Sequence, residues 1–274
     1  MDPFDANGLG VWTDEETFTV ERDRMIAYAE ATNDPIAAHR NGAVAPPVFA
    51  IVPVFNALLP AVLSVAPVAA AMRIVHGEQD FLFHRPIHAG DVLRSRARPL
   101  GFAGKPSGST LTVHIETRDD GGALVNEQWV TSFFRKIDAG GSAGDAAPER
   151  PPLSIDGAPV AKVPAHVDAD QTFRYSPAAG DPMPIHLDDD IARLAGLPGI
   201  IAHGLCVLAF TSWAVLTSVA DGRTLRRLAV RFAKPVLPGQ DLLTSIWDGG
   251  DGHFAYETTV ADTVVIKNGF AETV

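Results

Sequence analysis

Two long stretches of the chain carry no charged residue, and they predict the central elements of the fold. The first runs from Val54 to Met72 and the second from Gly204 to Ala220. The first contains Pro60 and Pro67, and both only approach the roughly 20 apolar residues that a membrane span needs. We therefore interpret each stretch as an apolar helix buried inside a globular fold, and we expect no membrane insertion.

Apolar and polar residues alternate with a period of two after each of these stretches. Leu228, Val230 and Phe232 fall on one face of such a run, and residues 111–115 form another. This alternation is typical of antiparallel strands with one buried face. Because a helix that is apolar all round must be surrounded, each half is predicted to be one long central helix wrapped by an antiparallel β-sheet, in the α+β class.

The chain repeats itself, which predicts two duplicated domains. Asp34-Pro35 with His39 recurs 147 residues later as Asp181-Pro182 with His186. Val44 to Pro47 corresponds to Ile201 to Gly204, at an offset of 157 residues. Phe83 to Gly90 recurs 149 residues later as Phe232 to Gly239. Residues 138–164 are rich in Gly, Ala and Pro and predict a surface linker. The N-terminal domain is therefore placed at residues 1–137 and the C-terminal domain at residues 165–274.

The balance of charges limits the partners and the location. The chain has 22 Lys and Arg residues against 33 Asp and Glu residues, and this net charge of −11 argues against nucleic acid as a partner. With 46% hydrophobic residues the chain can bury a core. The single cysteine, Cys206, can form no internal disulfide, and the acidic N-terminus lacks the pattern of a signal peptide. We therefore expect a cytoplasmic protein.

The most specific motif lies in the C-terminal half. It comprises Tyr175, the sequence Gly-Asp-Pro-Met-Pro-Ile-His at residues 180–186, and Ala-His-Gly at residues 202–204, where the second apolar helix begins. The motif resembles the signature of the MaoC-like dehydratases and R-specific enoyl-CoA hydratases, with Met183 where that family usually has Asn. Residues 77–86 are similar to the N-terminal half of the same family. The resemblance implies two tandem hotdog domains, a double hotdog, and a homodimer.

Three residues of this motif fit the reaction that the resemblance implies, the reversible hydration of a trans-2-enoyl thioester to an R-3-hydroxyacyl thioester. Hydration needs a base for the attacking water, an acid for C2 and a stabiliser for the enolate oxygen. Asp181 and His186 lie in a segment where prolines exclude helix, so a rigid loop can aim both side chains at one water. Gly204 opens the helix, where its free N–H and the helix dipole favour a developing negative charge.

Two further residues receive supporting roles. The resemblance implies that Ser212, two turns into the helix, hydrogen-bonds Asp181 and completes the catalytic set. His203 is placed among the substrate-binding residues, as a helix-start histidine that fixes the loop rather than transferring a proton.

The N-terminal copy lacks one part of this site. Pro47 stands where the C-terminal copy has Gly204, and proline has no N–H to donate. We therefore expect the N-terminal hotdog to be catalytically degenerate, with Asp34 and His39 as relics or local turn formers. One active site per chain follows, and the resemblance implies that the N-terminal half binds the acyl chain.

A basic cluster is the candidate for binding the phosphates of coenzyme A (CoA). Arg226, Arg227, Arg231 and Lys234 occur close together in the C-terminal half only. They are equally well explained as an ordinary solvated strand face. No separate cofactor is expected, because the pantetheine of CoA or of acyl carrier protein (ACP) is part of the substrate, and no metal site is predicted.

Two other functions remain open. The first is a hotdog thioesterase, because a carboxylate and a helix-start N–H can also serve thioester hydrolysis. The second is a non-catalytic module that binds acyl thioesters, for which Met183 in place of Asn is the argument.

Overall fold

The computed structural model describes residues 3–274, and its elements follow the predicted alternation of helices and strands. The strands are β1 (Glu16–Thr19), β2 (Ile74–Phe83), β3 (Val92–Lys105), β4 (Gly108–Asp119), β5 (Leu124–Arg135), β6 (Ser142–Gly144), β7 (Ala161–His166), β8 (Leu225–Phe232), β9 (Asp241–Gly250), β10 (His253–Val260) and β11 (Thr263–Thr273). The α-helices are α1 (Arg22–Ala31), α2 (Ala37–Arg40), α3 (Phe55–Leu63), α4 (Gln171–Ala179), α5 (Asp189–Leu194) and α6 (Gly204–Ser218). Short 3-10 helices cover Ala6–Gly8, Pro47–Val54, Val68–Arg73 and Pro184–His186.

The strands form a single antiparallel sheet in which the five strands of one half are arranged, from the edge to the middle, in the same relative order as the five strands of the other half. The order is β1-β3-β4-β5-β2-β8-β11-β10-β9-β7, and β6 pairs with β3 beside this path. Strands β2 and β8 meet in the middle, where Phe81 lies opposite Leu228. Each strand of the N-terminal half therefore has a counterpart at the mirrored position in the C-terminal half, and the two halves are related by a pseudo-twofold axis at the β2–β8 junction.

The duplication extends to single hydrogen bonds. The N–H of Gly90 donates to the carbonyl of Val20 at 2.8 Å, and the N–H of Gly239 donates to the carbonyl of Val167 at 2.6 Å. Both glycines have a positive φ, +88° and +85°, which glycine adopts without strain. The repeat that the sequence predicts is therefore a repeat of the structure.

Helix α6 passes through the interior of the C-terminal half. Its residues from Leu205 to Val215 are all buried, and Leu228 and Val230 of β8 belong to the same core. A helix that is apolar on every side satisfies its backbone internally and buries its whole circumference, which is why the sheet wraps around it. The predicted α+β class and the double hotdog architecture are confirmed.

The central element of the N-terminal half differs from the prediction of one long helix over Val54 to Met72. The structure has a 3-10 helix at Pro47–Val54, then α3, and then a second 3-10 helix at Val68–Arg73. Prolines lie inside the first two elements, and a proline removes one backbone donor and crowds the preceding turn. The N-terminal helix is therefore broken, whereas the predicted helix of the C-terminal half is confirmed as α6.

Two pieces of the predicted linker take part in the sheet. Strand β6 adds to β3 of the N-terminal half, and β7 begins at Ala161 and pairs with β9 of the C-terminal half. Between them, the chain around Pro148 and Arg150 packs against the outer face of the sheet near Asp80. No helix within residues 3–274 combines the length and the apolar character that crossing a membrane would require.

Candidate active site

The loop that carries Asp181 is fixed by the end of helix α4. Gly180 adopts a left-handed conformation with φ +76°, and its N–H donates to the carbonyl of Ser176 at 2.8 Å. This is the usual way in which glycine ends a helix. The Ser176 hydroxyl then donates to the carbonyl of Asp181 at 2.7 Å. Because Pro182 follows, the chain cannot continue as a helix, and it leaves α4 in an extended direction.

The carboxyl group of Asp181 is mostly buried, and among the described residues only the Met183 N–H donates a hydrogen bond to it. Burial raises its pKa from 3.8 to about 6, and the hydrogen bond from the Met183 N–H, at 3.1 Å, opposes the shift only in part. The Met183 side chain itself is 44% exposed, so this residue serves Asp181 through its backbone. A carboxyl with a pKa near neutrality can gain and lose a proton at physiological pH.

His186 lies at the end of the same loop, in the 3-10 helix that starts at Pro184. Its Nδ1 lies 2.8 Å from the carbonyl oxygen of Ile201. Because a carbonyl only accepts hydrogen bonds, Nδ1 carries the proton in the neutral ring and Nε2 keeps a free lone pair. Burial lowers the pKa of His186 to about 4, so the ring is neutral at pH 7.

His203, immediately before α6, contacts both Asp181 and His186. Its Nε2 donates to the backbone carbonyl of Asp181 at 3.2 Å, and its ring stacks on the His186 ring with centroids 3.9 Å apart. Burial, and the neighbouring His186, lower the pKa of His203 to about 3. This geometry agrees with a residue that fixes the loop and does not exchange protons near neutral pH.

The side chains of Asp181, His186 and His203 lie close together, but the carboxylate does not pair directly with either ring. Atoms of Asp181, His186 and His203 lie within 4.8 Å of one another, yet the Asp181 carboxylate makes no direct hydrogen bond to either ring. A water that bonds to two groups spans roughly this distance, since each bond is about 2.8 Å long. The trio is also a possible metal site by residue type.

Gly204 is the first residue of α6, beside this group. Its N–H is one of the donors that a helix start leaves without a partner inside the helix. A Cβ at this position would lie 3.3 Å from the Phe232 ring, so the absence of a side chain keeps the helix start open. Asp181, His186, His203 and Gly204 are therefore brought together as the sequence predicts.

The predicted hydrogen bond from Ser212 to Asp181 is not formed. The Ser212 hydroxyl is buried and has no hydrogen-bond partner among the described residues. Eight residues of α-helix extend about 12 Å, and Asp181 contacts the first turn of α6 through His203 rather than the third. The hydrogen bond on which the assignment of Ser212 to the catalytic set depends is therefore absent from the structure.

The structure gives no support to the predicted contact of Arg227 with CoA phosphates, because Arg227 is engaged elsewhere. Its guanidinium donates two hydrogen bonds to the Asp80 carboxylate, at 3.0 and 2.7 Å, under the linker. Arg231 lies on the same face of β8 and 3.9 Å from Glu78. The core residues Leu228 and Val230 alternate with these arginines, so both arginines lie on the outer face of the sheet, opposite α6.

The remaining members of the basic cluster lie elsewhere. Arg226 donates to the carbonyl of Phe83 at 2.8 Å, at the junction with the N-terminal half. Lys234 follows β8, two residues after Phe232, which packs against Gly204. Lys234 is exposed and forms no ion pair within the described part of the chain. Of the four basic residues, it is the one that follows Phe232 most closely in the chain without being paired to a carboxylate.

Sequence reasoning missed two contributions from the N-terminal half. The His76 ring packs edge-on against Phe232, with centroids 4.9 Å apart. The hydroxyl groups of Tyr28 and Tyr175 lie 3.2 Å apart, and Tyr175 also contacts the His203 ring. The 147-residue offset between the two tyrosines was available as a signal, because it equals the offset of the Asp and His motifs. The contact of His76 depends on the β2–β8 pairing, which no local pattern reveals.

Two family models match the chain, one for each half. The model described as MaoC like domain matches residues 150–269, and the model described as FAS1-like, dehydratase domain region matches residues 7–128. The boundary between these matches falls in the Gly-, Ala- and Pro-rich segment.

Individual relatives extend over both halves. The chain is 32% identical over 214 residues to 3-hydroxyacyl-thioester dehydratase Y of Mycobacterium tuberculosis (strain ATCC 25618 / H37Rv), covering 73% of this chain and 72% of that protein. It is 31% identical over 196 residues to peroxisomal multifunctional enzyme type 2 of Drosophila melanogaster, covering 69% of this chain. The match covers 32% of that longer relative, so the chain spans about a third of its length.

A solved structure gives the same result for the fold. The crystal structure of a MaoC-like dehydratase from Phytophthora capsici matches with a TM-score of 0.84, covering 95% of each chain at 22% identity. The geometry defines the class of protein as a double hotdog in which an aspartate and a histidine lie beside the start of a helix. With these matches, the chain belongs to the MaoC-like dehydratase family.

Proposed function

We propose that this protein is a hydro-lyase that reversibly hydrates a trans-2-enoyl thioester to an R-3-hydroxyacyl thioester. The observation that carries the proposal is the open pair of Asp181 and His186 beside the start of α6. The names of the relatives, among them a 3-hydroxyacyl-thioester dehydratase, support the reaction class.

The geometry supports a division of roles within the pair. One water between the side chains donates one hydrogen bond to the Asp181 carboxylate and one to Nε2 of His186. The higher pKa makes Asp181 the stronger base of the two. Asp181 takes the proton as the water oxygen forms its bond to C3, and the C2=C3 electron pair moves towards the thioester carbonyl. Asp181 then returns the proton to C2, so that water is added across the double bond and the enzyme is regenerated.

The developing negative charge on the thioester oxygen requires a donor. The Gly204 N–H, at the positive end of the α6 dipole, supplies it without a side chain in the way. Donors of this kind typically contribute about a hundredfold to a thousandfold in rate, because they are already oriented when the charge develops.

The substrate carrier is CoA or ACP, and its pantetheine reaches the site as part of the substrate. Lys234 is proposed to meet the carrier, because it is exposed and follows Phe232, which packs against Gly204. The N-terminal half is proposed to accommodate the acyl chain. No further cofactor is invoked. The homodimer and the cytoplasmic location stay predictions.

The test is the loss of the enoyl-thioester absorbance when crotonyl-CoA and longer 2-enoyl-CoAs are mixed with the protein. Absorbance loss with formation of the R-3-hydroxyacyl product supports the proposal. Release of free CoA from a saturated acyl-CoA would show a thioesterase instead. Saturable binding of enoyl-CoA with no turnover at any chain length would show a binding module and overturn the proposal.

A further inference from the structure

A cavity lies in the N-terminal half, away from Asp181 and His186. It has a volume of about 470 Å³, and none of Asp181, His186, His203 and Gly204 lines it. Its walls come from the loop and 3-10 helix start of the N-terminal half, from the end of β2, and from the junction with β8. Cavities of this size accommodate small organic ligands.

The cavity occupies the position that corresponds to the candidate active site by the internal repeat. The segment from Ile36 to Pro47 lines it, and the counterpart of that segment carries Met183 to Gly204. A matching hydrogen bond holds both loops to their sheets, from Ala45 N to Ile87 O at 2.9 Å and from Ala202 N to Val236 O at 2.7 Å. The duplicated fold has therefore kept a pocket at this position.

The chemistry of this pocket differs from that of the catalytic half. Nδ1 of His39 lies 2.7 Å from the Asp34 carboxylate, so the two side chains pair directly and leave no space for a water between them. Pro47 offers no N–H where Gly204 does. The pocket has lost the parts needed for hydration but has not been filled.

The charged side chains that line the cavity are all basic. No Asp or Glu belongs to its lining in the described chain, although acidic residues outnumber basic ones in the protein. Arg223 and Arg226 both line it, and their guanidinium groups bond only to neutral groups, the carbonyls of Ala220 and Phe83 and the His84 ring. Neither arginine forms an ion pair in the described structure, whereas Arg85, which also lines the cavity, pairs with Asp91 and Asp119.

The rest of the wall is largely apolar, and this limits the kind of anion. Apolar lining residues come from both halves: Ile36, Val44, Phe83, Ile87, Leu216 and Leu225. An inorganic anion would leave this surface in contact with water, whereas an aliphatic chain would bury it, at about 25 cal/mol per Å². A guanidinium binds a carboxylate through paired, charge-assisted hydrogen bonds.

We propose that this cavity is a second ligand site, which binds an aliphatic carboxylate of medium length with its chain against the apolar wall and its head group at Arg223 and Arg226. The site is separate from the candidate active site, since none of that site's residues lines the cavity. It does not depend on the proposed hydratase activity, because its lining and its charges are those of the N-terminal half and the β8 junction.

The experiment is calorimetric titration of the full-length Asp181→Asn variant with sodium decanoate, which removes turnover while leaving the cavity intact. We expect one saturable site. Arg226→Gln should weaken decanoate binding by roughly tenfold or more, because charge-assisted hydrogen bonds are lost. Leu216→Trp, which fills the cavity from the half-buried end of α6, should abolish binding.

The controls separate this site from general surface binding. Arg94→Gln removes a half-exposed arginine of β3 outside the cavity and should leave the affinity unchanged. Decanol, which has the chain without the charge, should bind at least tenfold more weakly than decanoate. Absence of saturable decanoate binding, or binding that Arg226→Gln and Leu216→Trp leave unchanged in folded protein, would overturn the proposal. Thermal unfolding of each variant establishes that it is folded.

Discussion

The two halves of the molecule contain the same Asp and His at equivalent positions, yet the pairs are arranged differently. In the N-terminal half, His39 and Asp34 are in direct contact at 2.7 Å, and both are buried. In the C-terminal half, Nδ1 of His186 donates to the Ile201 carbonyl instead, and the Asp181 carboxylate remains unpaired with the ring. The first arrangement is a closed, directly hydrogen-bonded pair, and the second leaves space for a water.

The length of one segment explains the difference. Eight positions separate His39 from Pro47, whereas eighteen separate His186 from Gly204. The additional residues form helix α5 and return the chain so that the Ile201 carbonyl reaches the histidine. The longer segment therefore supplies a backbone acceptor for the His186 ring, and Asp181 is not paired with that ring. The comparison teaches that the same two residue types form either a local structural link or a proton-transferring pair, depending on the third group that binds the ring.

The largest expected effect separates the two aspartates. Asp181→Asn should lower kcat/KM for enoyl-CoA hydration by about a thousandfold, since general acid–base groups contribute 10²- to 10⁴-fold. Asp34→Asn should retain activity within about threefold, because its side chain is used in a structural pair. The measurement is the enoyl-thioester absorbance assay on both purified variants.

The effects on stability should have the opposite order, with Asp34→Asn more destabilising than Asp181→Asn. Asp34→Asn replaces the charge-assisted hydrogen bond to the buried His39 by a neutral one and should lower the free energy of unfolding by about 2 kcal/mol. Asp181→Asn removes a poorly solvated charge and should leave that free energy unchanged or raise it at pH 7.5. Urea unfolding measures both. Loss of activity in Asp34→Asn at a temperature where it is folded would contradict the assignment of the two roles.

The next effect concerns the helix starts. Gly204→Pro makes the C-terminal copy resemble the N-terminal one, and proline is well tolerated as the first residue of a helix. We expect a loss of about a hundredfold to a thousandfold in kcat, because the N–H donor disappears. Gly204→Ala is the matched control, since it adds a Cβ 3.3 Å from the Phe232 ring but keeps the N–H.

A loss in Gly204→Ala as large as that in Gly204→Pro would mean that crowding against Phe232, not the missing donor, causes the effect. The reverse substitution, Pro47→Gly, should create no activity in the N-terminal half, because Asp34 and His39 remain in contact. It is tested most sensitively in the Asp181→Asn background, where no C-terminal activity obscures a gain.

The smallest effect is a dependence on pH. If Asp181 acts as the base, kcat/KM should fall about tenfold per pH unit below its pKa of about 6. The pKa of His186, about 4, should add no inflection above pH 5. A profile flat from pH 8 to pH 5 would contradict the role of Asp181.

The same shift affects stability. The pKa of Asp181 is higher in the folded protein than the ordinary 3.8, so the folded state holds the proton more tightly. Its favourable contribution is complete below about pH 4 and is lost as the pH rises through 6. The loss amounts to about 3 kcal/mol. The free energy of unfolding of the wild type should therefore fall relative to Asp181→Asn between pH 4 and pH 6.

The sequence by itself determined the duplication, the α+β class and the main residues of the candidate site. Residues 180–186 and residues 202–204 are short local segments, and the end of α4 and the start of α6 follow from glycine and proline chemistry. The repeat also predicted that Pro47 would deprive the N-terminal copy of a donor. Local sequence is informative here because backbone geometry at turns and helix ends depends on a few neighbouring residues.

Only the tertiary structure decided which side chains are engaged by distant partners. Alternation along β8 placed Arg227 on the polar face, but its pairing with Asp80 depends on β2 lying next to β8 and on the linker covering that face. Ser212 lies about two helical turns after Gly204, and this spacing suggested a contact with Asp181. However, Asp181 lies at the first turn of α6. The open and closed Asp–His pairs differ through a carbonyl that a longer segment brings back in space. Contacts of this kind join residues far apart in the chain, and no local pattern encodes the distance between them.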